Sequence, residues 1–407
     1  MVGPRSMHSP RTRVEESVAS MLRIAVLARM GLKQEEIAAH ENTSVSTVAR
    51  HLSRAREEGI LGESLPLLHL PLPELDRVAA TITDPRLTRC LQERLEPEGV
   101  ARVRVIPAAL GRAPESARRV AAFAGDLLAG DLGLAAQNSH VVGFTGGTMP
   151  RRIVDSCFPP AVDPELLTLV ALGGEHLLAP NIPGSLHVLQ SSANRLVADL
   201  ALRLGVPERH VWRFGAPPRL PRALIRDERS LAAFRADLDA DSTVRGILGA
   251  RSRPLEKALP MIDRVDTVFT SVRALGRDGD PGEPAFLDLS AREVEDLVAA
   301  GVAGEWNGRL LAGSDADAEC RRRVVAENRL ATGASPADLK RVAERARPQY
   351  LRGRGVVVAA SGPHVARALR ALIAAGAVNE VVMASDTAVA LLEELGQESA
   401  PAERKLG

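Results

Sequence analysis

Aromatic side chains are nearly missing from this sequence: seven Phe, two Trp and one Tyr in 407 residues. Its cores must therefore be built from Leu, Val, Ile and Ala. Stacking bases on aromatic faces is also excluded as a main way of holding single-stranded nucleic acid. Cysteine is scarce as well. Cys90, Cys157 and Cys320 stand far apart, with neither metal-site nor redox spacing, which excludes a disulfide framework and a thiolate zinc site. An odd, scattered set fits buried apolar thiols in a reducing compartment. Excess charge is missing too: 52 basic residues face 51 acidic ones, a net charge of +1. No overall field draws the chain to a polyanion, so any contact with DNA has to come from a local patch. No apolar run follows the basic N-terminal MVGPRSMHSPRTR, and no apolar stretch reaches membrane-spanning length. A cytoplasmic protein without membrane contact is expected.

What is present is ordinary for a globular chain, with 45% hydrophobic and 25% charged residues. The length calls for two or three domains. Residues 1–13 are rich in Arg, Pro and Ser and are expected to be disordered. From Val14 to Met30, apolar residues recur at Val18, Met21, Leu22, Ala25 and Val26, the spacing of a helix, and Gly31 stops it. A short helix is predicted over 34–40, then a break at Glu41-Asn42-Thr43. Ser44 is placed to N-cap a third helix that runs to Glu58 and ends at Gly59. This is helix-turn-helix spacing. Ile37 and Ala38 face inward on the first helix of the pair, and Val48 and Leu52 pack the second. Asn42 stands where the turn wants positive φ. Val45, Ser46, Thr47 and Arg50 are left pointing outward near the N-terminus of the second helix, where base edges are read. Arg54 and Arg56 lie further along and suit phosphates. The predicted DNA-contacting set is Ser44, Val45, Ser46, Thr47, Arg50, Arg54 and Arg56. Basic and acidic residues nearly balance over 1–61, so spacing alone also fits a three-helix dimerisation bundle.

Residues 62–85 open with Pro66, Pro71 and Pro73, which no long helix accommodates; the stretch reads as a linker. After a helix over 86–95, short apolar runs alternate with helical patterns. The runs cover 103–106, 141–144, 167–172, 211–214, 267–272, 355–360 and 380–383. Such alternation predicts a doubly wound α/β domain over 86–397, a parallel sheet with helices on both faces. Three small-residue loops fall at strand ends: Thr145-Gly146-Gly147-Thr148, Gly173-Gly174-Glu175, and Ser361-Gly362. Ligands of open α/β sheets bind at the carboxyl ends of strands, and a glycine loop opening a helix offers N–H groups to an anion.

In order and spacing, these features resemble the SorC/DeoR-type sugar-sensing transcription regulators, which include the central glycolytic gene regulators. The resemblance rests on Leu32–Gly59, Gly146-Gly147-Thr148, Gly173-Gly174, Ala193-Asn194 and Phe214-Gly215-Ala216-Pro217. It continues through Asp266–Val272, Gly304-Glu305-Trp306-Asn307-Gly308-Arg309, Ala360-Ser361-Gly362 and Ser385-Asp386-Thr387-Ala388. It implies a DNA-binding helix-turn-helix on a sugar-isomerase-like effector domain, in a homo-oligomer (a dimer or tetramer) that binds a double-stranded operator. A sugar or sugar phosphate would be the effector, with Asn194 and Glu305 joining the loop residues as ligand contacts. No cofactor and no metal are implied. This sequence departs from the pattern in placing Glu41, Thr43 and His51 at usually apolar positions. It has Val365 where the family commonly has Lys, and Leu172 where some members have a phosphate-binding Arg. Those losses remove the strongest bonds to a phosphate. They point to an unphosphorylated sugar or another metabolite, to a degenerate site, or to replacement charge from Arg151 and Arg152. The competing readings are an isomerase- or deaminase-like enzyme, with Asp155, Glu175, Glu305 or His364 as base, and a scaffold that has lost its ligand. A non-enzymatic regulator is the expectation.

Overall fold

The computed structural model describes residues 20–28, 32–57, 83–108, 113–158, 162–175, 190–248, 260–275, 289–347 and 353–399. The expected N-terminal tail, the start of the first helix, the stops at Gly31 and Gly59, and most of the 62–85 linker lie outside these residues. The chain divides into two compact units, Met1–Pro85 and Arg86–Gly407.

The smaller unit contains α1 (residues 20–28), α2 (Gln34–His40) and α3 (Val45–Glu57). Its core is aliphatic, as the scarcity of rings requires: Met21, Ile24 and Leu27 are buried with Ile37, Ala38, Val48, Leu52 and Ala55. The Glu36 carboxylate accepts the Lys33 N–H at 2.9 Å and so caps α2. Asn42 takes φ +49° in the turn, as its short polar side chain permits. The polar Glu41 is satisfied by Arg23, whose Nε donates to it at 2.9 Å, and by His40 Nδ1 at 3.2 Å. The His40 and Arg23 bonds hold the Glu41 carboxyl below its ordinary range, against the opposing effect of burial.

The larger unit is built on seven parallel strands: β1 (Arg102–Ile106), β2 (His140–Phe144), β3 (Leu167–Ala171), β4 (Val211–Trp212), β5 (Thr267–Thr270), β8 (Gly355–Ala360) and β9 (Glu380–Ala384). Their order is β1-β9-β8-β5-β2-β3-β4. Every residue of β2, β5, β8 and β9 is buried, and since side chains alternate between faces, both faces must be covered. The covering helices include α4 (Pro85–Leu95), α5 (Ala113–Leu134), α6 (Thr148–Ser156) and α7 (Ala193–Leu204) early in the unit. Two further helices follow, α8 (Glu228–Ala240) and α9 (Ser242–Leu248). Later come α10 (Ala291–Ala299), α11 (Ala318–Asn328), α12 (Pro336–Ala346), α13 (Ala366–Ala374) and α14 (Ser385–Ser399). From β2 the chain winds outward one way through β3 and β4, then returns to β2's other side at β5 and winds away through β8 and β9. The topological switch point therefore lies between β2 and β5.

A separate antiparallel hairpin, β6 (Val302–Trp306) and β7 (Arg309–Ala312), turns at Asn307-Gly308. Both turn residues have positive φ, +49° and +80°, the geometry that a two-residue hairpin turn demands and that Asn-Gly supplies. The hairpin shares a satellite core with α10 and α11 through Leu297, Val302, Leu310, Cys320 and Val324.

At the N-terminal edge of the sheet the interior is ionic. Arg354 Nε meets Asp131 at 3.1 Å and its Nη1 meets Glu380 at 3.0 Å, while Arg104 reaches Glu380 at 3.3 Å. None of these four side chains is more than 10% exposed. Burial raises the Asp131 carboxyl above its ordinary range, although Arg354 opposes the shift. Among the described residues no helix is long and apolar enough to cross a membrane.

Candidate functional site

The carboxyl ends of the central strands surround a cavity of about 560 Å³, a size usual for small-molecule sites. It lies at the switch point. Gly146, Gly147 and Thr148 follow β2, Ser271, Val272 and Arg273 follow β5, and Ser361, Gly362 and His364 follow β8. The hairpin adds Glu305, Trp306, Asn307 and Gly308, and Gly174 comes from the loop after β3.

Glycine is required here for two separate reasons. Gly362 has φ +99°, and an added Cβ would press on the His364 imidazole. At Gly174 a Cβ would overlap the Ala216 carbonyl oxygen, so only glycine lets the two backbones approach this closely. The Gly147 N–H donates to the Ser191 carbonyl at 2.8 Å, tying the first loop to the start of α7.

Two backbone bonds, Arg273 N–H to Glu305 O at 3.0 Å and Glu305 N–H to Arg273 O at 2.8 Å, dock the hairpin onto the loop after β5. The Glu305 carboxylate accepts Arg273 Nη2 at 2.8 Å and the Gly308 N–H. Beneath it Trp306, 1% exposed, donates its indole N–H to Thr270 Oγ1 at 2.8 Å, and Thr270 is bonded to Thr145 at 2.6 Å. This buried polar chain fixes the floor of the cavity.

Of the residues singled out from the sequence, Gly146, Gly147, Thr148, Gly174, Glu305, Ser361 and Gly362 come together around the cavity. Thr145 lies below the surface in the Thr270 bond. Gly173 packs beneath Asn307, and Glu175 is exposed outside the lining. Asn194 works within the protein: its Oδ1 accepts the Phe214 N–H at 2.7 Å and its Nδ2 donates to the Phe214 carbonyl at 2.9 Å. Of the two charge candidates, Arg151 is bound to Asp155 and Asp199, whereas Arg152 lines the cavity. Ser191, Ser271 and Asn307 also line it. Ser271 and Asn307 stand at strand ends and so carried a signal, whereas Ser191, just before α7, meets the first loop through the Gly147 bond. Val365 contributes an apolar patch to the wall. Among the described residues no three His, Cys, Asp or Glu side chains gather as a metal ion would need.

In the smaller unit, Ser44 caps α3, its Oγ accepting the Thr47 N–H at 3.2 Å and lying 2.9 Å from the hydroxyls of Ser46 and Thr47. Ser44, Val45, Ser46, Arg50 and Arg56 are exposed, while Thr47 and Arg54 are half-buried. Val45 stands out as an apolar side chain 40% exposed at the start of a helix. His51 is held below its ordinary pKa by burial first, then by Arg50, Arg54 and Arg23. The positive side of α3 is thus dense enough to oppose a further proton.

No protein-family model matches the chain, and no curated protein matches it. Solved structures do. The full-length sorbitol operon regulator SorC from Klebsiella pneumoniae is 15% identical, with a TM-score of 0.52, over 93% of this chain and 99% of that one. A domain of a possible sugar-binding transcriptional regulator from Arthrobacter aurescens TC1 is 18% identical, with a TM-score of 0.52, over 77% of this chain and 98% of that one. A DeoR family transcriptional regulator from Listeria monocytogenes is 19% identical, with a TM-score of 0.50, over 75% and 98%. At these identities the shared property is the mixed α/β fold. The match to the Klebsiella protein covers more of the chain than the larger unit alone contains.

Proposed function

We propose that this chain is a transcription regulator whose affinity for a double-stranded DNA operator is set by a sugar, a sugar phosphate or a related metabolite. The effector is held in the cavity of the larger unit. The division follows the sequence reading: residues 1–61 contact DNA, 62–85 link, and 86–397 sense. The observation that carries the proposal is the placement of the cavity at the switch point of a fold shared with sugar-binding and operon-regulating proteins. Three independently read glycine loops meet there.

The exposed start of α3 supports the DNA-binding half. Val45 and Ser46 can face base edges, Arg50 can reach bases or phosphates, and Arg56 suits the backbone. A catalytic reading is less favoured because two of its four candidate bases are occupied and Glu175 lies outside the cavity lining. The Glu305 carboxylate is taken up by Arg273 and Gly308, and Asp155 is paired with Arg151. With so little excess charge, one copy would bind DNA weakly. A homo-oligomer, dimer or tetramer, would present two or more copies of α3, and the protein would work in the cytoplasm.

The test is fluorescence anisotropy of the full-length protein on DNA taken from upstream of its own gene, at low salt. The account expects saturable binding that weakens at least tenfold in R50A/R56A, with the circular dichroism spectrum unchanged. Equal binding by the double variant, or no binding to that DNA, would contradict it.

A further inference from the structure

We infer that Arg152 selects an anionic effector, one whose sugar-like body carries a carboxylate or a phosphate. The inference rests on the reading of the cavity as the effector site and deepens it. Arg151 and Arg152 are neighbours in sequence but have opposite surroundings. Successive helix residues point about 100° apart, and α6 turns Arg151 toward Asp155 one turn on and Asp199 on α7. Its guanidinium is consumed there, at 2.8 Å from one carboxylate and close against the other. Arg152 faces the cavity instead and has no hydrogen bond or ion pair among the described residues.

The other charges of the wall cancel. Arg273 and Glu305 form a pair at 2.8 Å, so their sum is zero. Among the described lining residues this leaves one uncompensated guanidinium, accompanied by the imidazole of His364. A half-buried guanidinium at the mouth of a cavity binds a planar or tetrahedral oxyanion through two N–H groups at once. The start of α6 adds to this. Its Gly147 N-cap has no side chain to satisfy the first-turn N–H groups, and the helix dipole points positive end first toward the same space. Ser361, Ser271 and Asn307 remain for hydroxyls. Val365 and the buried Leu172 supply no charge, so the anion's position is set from the α6 side of the cavity.

The experiment is a thermal-shift and calorimetric comparison on the full chain with two matched triads, ribose, ribonate and ribose 5-phosphate, and glucose, gluconate and glucose 6-phosphate. Inorganic phosphate serves as a fragment. In at least one triad an anionic member should bind ten- to a hundredfold more tightly than the neutral sugar, the range a charge-assisted contact supplies. R152A should erase that ratio, and R152K should restore part of it. Carboxylate and phosphate arms that differ identify which oxyanion is read. A neutral sugar binding as tightly as its anions, or R152A leaving the ratio intact, overturns the inference and spares the effector-site reading. If none of the probes binds, both fall.

Discussion

The two ends of the parallel sheet are built on opposite plans. At the N-terminal edge, Arg354, Arg104, Asp131 and Glu380 pair with one another in the interior, with side chains 10% exposed or less. At the C-terminal edge, glycines keep the space open, and one cation, Arg152, faces it without a partner among the described residues. Charge at the first end is structural because all of it is spent inside the protein. Charge at the second is available because, among the described lining residues, the pair Arg273 with Glu305 holds the hairpin in place and leaves Arg152 over. The same sheet thus separates holding the fold from meeting a ligand.

Breaking the closed end should have the largest effect. Arg354→Leu leaves Asp131 without its cation and Glu380 with Arg104 alone, and unpairing a buried charge costs about 3–5 kcal/mol. Urea denaturation should show that loss, and a change below about 1 kcal/mol would mean that the cluster is not what holds this edge. By contrast, Arg152→Ala at the open end should move stability by no more than about 0.5 kcal/mol, as surface substitutions do.

Gly362→Val comes next. A β-branched residue forced to φ +99° beside His364 should cost about 1–3 kcal/mol and also abolish effector binding, since the side chain would enter the cavity. Retained binding in this variant would move the ligand elsewhere. Trp306→Phe removes the indole donor to Thr270 but keeps the ring, so a loss of about 1 kcal/mol is expected, read from the same denaturation curves.

The smallest effect is in the N-terminal unit, where ions are only half-buried. Glu41 has its carboxyl held low in the folded state, so its contribution is present above its ordinary value of 4.5 and fades as pH falls through the lowered one. His51 resists protonation when folded, so stability also drops as pH falls below 6.5 and the unfolded chain takes up the proton. Protection factors of the α2 and α3 amides, taken relative to the intrinsic rate at each pH, should fall between pH 7 and pH 4 by an amount worth less than about 1 kcal/mol. Higher protection factors at low pH would reverse the assigned signs.

Much of this was legible in the residues. The buried strands announced themselves as apolar runs because both faces of a parallel sheet are covered, and the α2–α3 turn was marked by Asn42. Strand 211–214 is shorter than its apolar run, ending at Trp212, because the Asn194 side chain captures both backbone groups of Phe214. A bond between residues twenty positions apart leaves no local signal. Helix α8 has no strongly one-sided apolar face in its sequence and buries only Leu231. The different fates of Arg151 and Arg152 were half legible: Asp155 stands four residues from Arg151, but Asp199 meets it only once α6 and α7 pack together.

Hydrogen exchange of the full-length protein, with and without the tightest-binding of the six sugar probes, tests the contrast between the two sheet ends most directly. Protection should appear in 145–149, 271–273, 304–308 and 361–365, with no change at Arg354 and 379–380. Protection confined to the closed end, or none at the strand ends around the cavity, would contradict the account.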